Sequence, residues 1–229
     1  MGFALAGAPE AVDTAGQDII ERYLAAQKTN VVSGVEMDAQ IEATLPKLKR
    51  NASLLALRKI SKLGKITWDR FHFTGDNTIR KEVISRFIQN EQEQSDTSKT
   101  AINHEHYKFK YKGLAEIKDG RKVYVFHLTP RRNIPELFKG ELWLDEATCL
   151  PVHEAGTFAK SPNRAFLTKV QFSRDYELVN GFAIPSHLES QAETRFWGPA
   201  QVSIRYNHIV KADEQIADSS NSVEQPLQH

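Results

Sequence analysis

Hydrophobic and polar residues alternate along most of this chain, and the alternation predicts β-strands. Between Val35 and Leu45 every odd position is apolar and every even position is polar, which is typical of a strand with one buried face. Similar apolar runs predict further strands at 65–74, 78–89, 107–117, 123–128, 140–145, 150–158, 166–178, 182–190 and 201–210. The dipeptides Asp119-Gly120 and Asn180-Gly181 predict hairpin turns, because glycine adopts positive φ without steric cost.

The clearest part of this pattern is residues 107–145, where two alternating runs flank Asp119-Gly120 and a third follows. This arrangement predicts a β-meander. On its first strand Lys108, Lys110 and Lys112 share the polar face. We interpret these lysines as a solvated surface, which is the usual state of such a charge run.

Three segments depart from simple alternation. Residues 18–26 repeat apolar positions at helical spacing and predict a short amphipathic helix. Residues 51–64 fit either a helix capped by Asn51 and ended by Gly64 or a strand hairpin, and we favour the hairpin. The polar residues 90–100 predict a loop or a short helix.

About ten one-faced strands with one clear helix predict a mainly β protein. A flat sheet of this width would expose its edges and a wide apolar face, so we expect a curved antiparallel sheet that forms an unclosed β half-barrel with a few covering helices. We expect residues 15–212 to form this single domain and 213–229 to be a disordered tail. Residues 1–14 are expected to be disordered or the remnant of an export signal, and no cysteine follows Leu5-Ala6-Gly7 to carry a lipid.

Composition narrows the possible partners. Thirty lysines and arginines nearly balance 29 aspartates and glutamates, which argues against nucleic acid as a partner. No apolar stretch reaches the roughly 18–20 residues of a membrane span. The single Cys149 excludes an internal disulfide and a cysteine-based zinc site, and we expect it to be a small buried hydrophobe.

The aromatic residues, 12 Phe, 6 Tyr and 3 Trp, fall largely on strand positions that would face the interior. If the curved sheet encloses more space than its side chains fill, the remainder is a hydrophobic cavity suited to an acyl chain. We predict that this cavity is lined by Trp68, Phe71, Phe73, Phe87, Phe109, Tyr111, Tyr124, Phe126 and Trp143. The alternative is a plain packed core.

Catalytic motifs are absent from the sequence: there is no glycine-rich phosphate loop, no Gly-x-Ser-x-Gly and no His-Glu-x-x-His. We therefore expect no enzyme activity, no cofactor and no metal. His104 and His106 would share one face of a strand and could begin a metal site, but the other histidines are scattered. Arg131-Arg132 could bind a carboxylate or a lipid head group, although a solvated loop is the preferred interpretation.

Several short motifs resemble one protein superfamily. They are Gly140-Glu141-Leu142-Trp143-Leu144-Asp145 followed by Pro151, Asp119-Gly120-Arg121-Lys122-Val123-Tyr124, Thr129-Pro130-Arg131, and Asn180-Gly181-Phe182-Ala183-Ile184-Pro185. Together they resemble the bacterial outer-membrane lipoprotein-sorting superfamily, which includes the LolA and LolB carriers and the RseB-type regulators. The resemblance is clearest over residues 107–206.

This resemblance implies an unclosed half-barrel around a hydrophobic cavity, helices that act as a lid, and export to the periplasm. It brings no catalytic residues, and it gives Trp143 and Asp145 a structural or cavity-rim role. The chain departs from LolA in its 90–100 insertion, in lacking a clear set of lid helices, and in lacking the lipidated cysteine of LolB.

The residues and the resemblance together predict a periplasmic binding or carrier protein that holds a lipoprotein acyl anchor or another amphiphile. Its partners would be a lipid or lipid-modified protein and a membrane-bound donor or acceptor. The alternatives are an envelope-sensing regulator of the RseB type and a packed β-domain without a ligand.

Overall fold

The computed structural model describes residues 14–93, 100–135, 137–161 and 167–211. Residues 1–13 of the expected N-terminal segment 1–14, the expected tail at 213–229, most of the 90–100 insertion and the expected strand start at 166 lie outside the described residues. Thr14 is described and is the first residue of a helix. The domain limits of 15–212 stay a prediction.

The described residues form two main helices, a short 3₁₀ helix at Pro46–Leu48 and ten strands. Helix α1 spans Thr14–Thr29, and helix α2 spans residues 77–93 in three consecutive segments: α-helical Asn77–Ile79, π-helical Arg80–Ser85 and α-helical Arg86–Glu93. The strands are β1 Val35–Leu45, β2 Arg50–Ile60, β3 Ile66–Gly75, β4 Tyr107–Glu116, β5 Lys122–Pro130, β6 Phe138–Asp145, β7 Pro151–Phe158, β8 Leu167–Val179, β9 Phe182–Thr194 and β10 Gly198–Lys211.

The ten described strands form a single antiparallel sheet in the order β3-β2-β1-β10-β9-β8-β7-β6-β5-β4. Strands β4 to β10 form one long meander, and β10 then returns beside β1, as the pairing of Ile41 with Ile204 shows. Strands β3 and β4 are the two edges, so the sheet is not closed into a barrel. The predicted mainly β, unclosed half-barrel is confirmed.

The expected strand at 78–89 is wrong, because these residues belong to α2. The side chain of Asp76 caps the helix by accepting hydrogen bonds from the backbone N–H groups of Thr78 and Ile79. A π-helical turn has i→i+5 spacing, so the π segment places Ile79 and Ile84 on the same side of the helix, where both are fully buried. The apolar pairs that suggested a strand in fact lie on the sheet-facing side of this helix.

The strand interpretation favoured for residues 51–64 is confirmed over the helix, but the hairpin is larger than predicted: residues 51–60 belong to the single strand β2, which pairs with β3 across the turn at 61–65. The turn predicted at Asn180-Gly181 also forms, with φ values of 52° and 82°, which are the positive angles that a two-residue type I′ turn requires. This turn joins the two strands with the longest pairing, from Leu167 opposite Thr194 to Val179 opposite Phe182.

Two apolar cores divide the concave face of the sheet. The first lies under α2 and contains Met37, Ile41, Leu54, Trp68, Ile79, Ile84, Leu188 and Ile204. The second lies under α1 and contains Ile20, Tyr23, Tyr107, Phe126, Leu128, Leu142, Leu144, Cys149 and Phe172. We call these regions the α2 half and the α1 half. Cys149 is buried in the second core, as predicted.

Strands β6 and β7 approach closely where Gly140 pairs with Gly156. A Cβ atom at Gly140 would lie 1.9 Å from the carbonyl oxygen of Ala155, and one at Gly156 would lie 2.6 Å from that of Lys139. Any side chain here would collide with backbone, so the sheet packs this way only with glycine at both positions.

No helix within the described ranges combines the length and the apolar character needed to cross a membrane.

Candidate functional site

Two cavities lined by described residues lie between the sheet and the helices. The α1 cavity has a volume of about 860 Å³ and is bordered by Tyr23, Gln27 and Asn30 from α1 and the residue after it. The α2 cavity has a volume of about 420 Å³ and is bordered by Phe87 and Glu91 of α2, among others. Both volumes fall within the range of roughly 300–1,000 Å³ that is typical of small-molecule sites.

The two cavities adjoin at three side chains, Phe158, Phe172 and Arg174, which line both of them. The rings of Phe158 and Phe172 stack with their centroids 5.0 Å apart and their planes at 28°. The Arg174 guanidinium carbon lies 6.0 Å from the centroid of the Phe172 ring, within cation–π distance. An aromatic pair and one arginine thus form the boundary between the cavities.

The α2 cavity has a mainly apolar wall formed by Val83, Phe87, Val170, Leu188, Trp197 and Val202. One side of it carries an ion pair, in which Arg58 of β2 donates to Glu91 of α2 at 2.9 Å. The indole N–H of Trp68 donates to the same carboxylate at 3.0 Å. Only 8% of the Arg58 side chain is accessible to solvent, so this contact ties α2 to the sheet in a largely desolvated setting.

The α1 cavity is more polar, and its charged groups come from neighbouring strands. Glu154 of β7 lies directly opposite Arg174 of β8. Nη1 of Arg174 lies 3.5 Å from Oε2 of Glu154 and donates to the hydroxyl of Tyr176 at 3.3 Å. Burial, and then the charge of Glu154, raise the pKa of Tyr176 above its usual range. The phenol therefore stays neutral, and the guanidinium and the carboxylate balance each other's charge.

Two further tyrosines of the α1 half, Tyr23 and Tyr107, also line this cavity. The hydroxyl of Tyr107 accepts from the backbone N–H of Phe138 at 3.2 Å, and burial raises its pKa to about 12. The hydroxyl of Tyr23 accepts from the side chain of Gln27, and burial followed by the charge of Glu154 raises its pKa as well. Neutral phenols thus line this cavity at physiological pH.

The end of α1 is fixed to the sheet by Asn30. Its side-chain nitrogen donates to the carbonyl of Gly181 at 2.6 Å, and its side-chain oxygen accepts from the N–H of Ala183 at 3.0 Å. Because Asn30 also lines the α1 cavity, this double contact holds α1 at the cavity's border.

Of the nine residues predicted to line a cavity, Phe87 borders the α2 cavity. Trp68 and Phe126 are buried in the two cores, and Phe73, Phe109, Tyr111 and Tyr124 pack against those cores. Phe71 is 48% exposed on edge strand β3. The ring of Trp143 contacts that of His153 at a tilt of 45°, with centroids 4.7 Å apart, and its indole N–H donates to Glu141. A ligand-binding role for the nine stays a prediction.

The charged residues of the site, Arg58, Glu154 and Arg174, were not predicted from the sequence, although a signal was present. Arg174 occupies one of the alternating strand positions that are otherwise apolar, between Phe172 and Tyr176. Arg58 and Glu154 likewise occupy buried positions of β2 and β7. A charged residue at a strand position predicted to be buried is rare unless it is paired or functional. This rule could have identified all three residues.

His104 and His106 lie in a turn before β4 rather than on a strand as expected. His104 contacts Glu21 of α1 at 3.0 Å, whereas Nδ1 of His106 lies 2.9 Å from the carbonyl of Ala101. Within the ranges that the structure describes, no group of three or more His, Cys, Asp or Glu residues could hold a metal ion. Arg131 and Arg132 have protein partners, the Tyr107 carbonyl and Glu105.

No protein-family model matches the chain, and no curated protein matches it in sequence. Solved structures do match. A DUF1329 family protein from Desulfovibrio piger has 10% identity and a TM-score of 0.45, over 86% of this chain and 92% of that one. A putative outer membrane lipoprotein-sorting protein domain from Vibrio parahaemolyticus has 12% identity and a TM-score of 0.41, over 86% of this chain and 92% of that one. A LolA superfamily protein from Nitrosomonas europaea has 11% identity and a TM-score of 0.40, over 85% of this chain and 92% of that one. Two of these structures are named for lipoprotein sorting and for the LolA superfamily.

Proposed function

We propose that this chain is a binding or carrier protein of the bacterial envelope, and that it holds the acyl chain of a lipid-modified protein or another amphiphile on its concave face. The observation that carries the proposal is the pair of adjoining cavities, about 860 and 420 Å³, beneath two helices. A plain packed core would leave no such space, because protein interiors are filled to nearly crystalline density.

The apolar wall of the α2 cavity supports an acyl ligand energetically. Each buried methylene contributes roughly 0.8 kcal/mol, so a chain of about ten methylenes gains roughly 8 kcal/mol before the entropic cost of binding. This gross gain corresponds to about micromolar affinity. An acyl chain in this cavity would therefore be held in water but could still be released to an acceptor.

Release of the acyl chain requires part of the protein to move, and the helices can be displaced more easily than the strands. Every strand is tied to a neighbour by a ladder of backbone hydrogen bonds, whereas α1 and α2 are held to the sheet by side-chain contacts such as those of Asn30 and Glu91. Displacing a helix therefore breaks fewer strong contacts than displacing a strand.

Ligand binding can be tested with the purified protein by native mass spectrometry, lipid extraction and displacement of a fluorescent fatty acid. We expect a bound amphiphile and saturable displacement. Phe87→Ala, which removes part of the α2 cavity wall, should weaken binding about tenfold. Phe196→Ala is the matched control, because Phe196 is exposed and lines neither cavity, and it should leave affinity unchanged.

Protein that carries no lipid and does not bind the fluorescent fatty acid would overturn the proposal. A pull-down from an envelope extract gives a second outcome. Recovery of a regulatory protein in place of lipid-modified cargo would favour the envelope-sensing alternative over a carrier.

A further inference from the structure

We infer that Arg174 forms a subsite for an uncharged acyl carbonyl, the ester or amide group at the head of a bound acyl chain. This inference rests on the proposed function, since it specifies which chemical group of the amphiphile the cavity recognises. Arg174 is the charged residue that lines both cavities. A chain lying in the α2 cavity would therefore place its head group beside this guanidinium.

The guanidinium of Arg174 keeps donors for a ligand. Its contacts to Glu154 and Tyr176 both use Nη1, and among the described residues no acceptor is hydrogen-bonded to Nε or Nη2. The side chain is 39% accessible to solvent although it lies on the concave face, because it borders the cavities. Arginine presents five N–H donors in a rigid fork, so the remaining donors can bind a carbonyl oxygen.

The charge balance of the site selects a neutral acceptor. Glu154 already compensates the charge of Arg174, and its carboxylate is buried. A ligand carboxylate would bring a second negative charge close to Glu154, where burial makes repulsion strong. An ester or amide carbonyl accepts the same hydrogen bond without adding charge, and is therefore favoured over a free fatty acid.

The two cavities also differ in polarity, as a ligand with an apolar chain and a polar head requires. The α2 cavity offers Val170, Leu188 and Val202 to the chain. The α1 cavity offers Gln27, Asn30 and Tyr176 to the polar part beyond the carbonyl. The ligand is thus oriented with its chain under α2, its carbonyl at Arg174 and its polar part under α1.

A comparison of palmitic acid with its methyl ester at neutral pH tests this subsite, because the two differ chiefly in charge. Each would compete with a fluorescent fatty acid for the wild-type protein and for variants. We expect the ester to bind about tenfold more tightly than the acid. Arg174→Met should weaken ester binding about tenfold, whereas Arg205→Met, an exposed arginine on β10 that lines neither cavity, should have no effect.

Glu154→Gln gives a second readout that does not depend on the folding of Arg174→Met. Without the carboxylate, the guanidinium is left uncompensated, so the acid should gain about tenfold and the preference for the ester should disappear. Equal binding of acid and ester to the wild type, or an unchanged preference in Glu154→Gln, would overturn the subsite while leaving the carrier function in place. Failure of both ligands to bind the wild type would overturn both.

Discussion

The two halves of the concave face are each covered by one helix, but the helices are held in different ways. Helix α1 packs through Ile20 and Tyr23 into an apolar core and is fixed by neutral hydrogen bonds from Asn30. Helix α2 also buries Ile84, but it adds the ion pair of Glu91 with Arg58.

This difference shows how each kind of contact fixes the position of a helix on the sheet. Apolar packing is non-directional and tolerates small shifts of a helix. A buried ion pair costs desolvation energy and is favourable only in one geometry. We therefore expect α2 to have a sharply defined docked position, and α1 to derive its stability from the amount of surface it buries.

The largest effect is expected from removing the main apolar contact of α1. Tyr23 is nearly fully buried, and Tyr23→Ala should lower the free energy of unfolding by about 3–5 kcal/mol, because the core would lose a whole aromatic side chain. Urea unfolding measures this change. Tyr23→Phe is the control and should cost about 1 kcal/mol, since only the hydroxyl is lost. An equal cost of the two substitutions would contradict apolar docking of α1.

A smaller effect is expected from breaking the ion pair that holds α2. Glu91→Ala leaves the guanidinium of Arg58 and the indole N–H of Trp68 without their acceptor, and should cost about 2–3 kcal/mol. Glu82→Ala is the control on the same helix, because Glu82 pairs with Arg86 on a more exposed surface at 2.7 Å, where a pair contributes at most about 0.5 kcal/mol. Unfolding curves that coincide for the two variants would show that the ion pair does not hold the helix.

Alkaline pH should weaken the α1 half gradually, and the loss over any one pH unit should be smaller than the loss expected for Glu91→Ala. The pKa of Tyr107 is about 12 in the folded protein against 10.0 for the ordinary side chain. Above about pH 10 the unfolded chain therefore loses this proton first, and stability falls by up to about 1.4 kcal/mol per pH unit until about pH 12. Below pH 10 this contribution is fully present.

Urea unfolding at several alkaline pH values, together with phenolate absorbance, measures this fall. Tyr107→Phe should make the fall shallower, because it removes one of the tyrosines whose pKa is raised, and it should cost about 1 kcal/mol at neutral pH. The Tyr107 step would be disproved if wild type and variant lost stability equally between pH 10 and 12.

The strands and their curvature could be predicted because each strand keeps one apolar face, as Met37, Ala39 and Ile41 do on β1. Helix α2 could not, since the residues Val83, Ile84, Phe87 and Ile88 fit a buried strand and a helix equally well when taken alone. The deciding information was the Asp76 cap and the five-residue step from Ile79 to Ile84.

The cavity lining was harder to predict than the fold. Alternation shows which face of a sheet a side chain lies on, but not how far along the curved face it sits. Aromatic residues such as Phe126 fill the two cores. The space left between those cores is bordered by other aromatic residues, such as Phe158 and Phe172, and by the charged residues Arg174 and Glu154. Charged residues at strand positions that face the core therefore mark the site together with some of the aromatic residues.

The unclosed sheet also bears on how the protein behaves at high concentration. Edge strand β4 presents Lys108, Lys110 and Lys112, all exposed. A second molecule that added its own strand there would have to strip water from these ammonium groups and bring like charges together. The lysines should thus discourage fibre-like growth from one molecule to the next, and the protein can keep an open, accessible groove without aggregating through its edge.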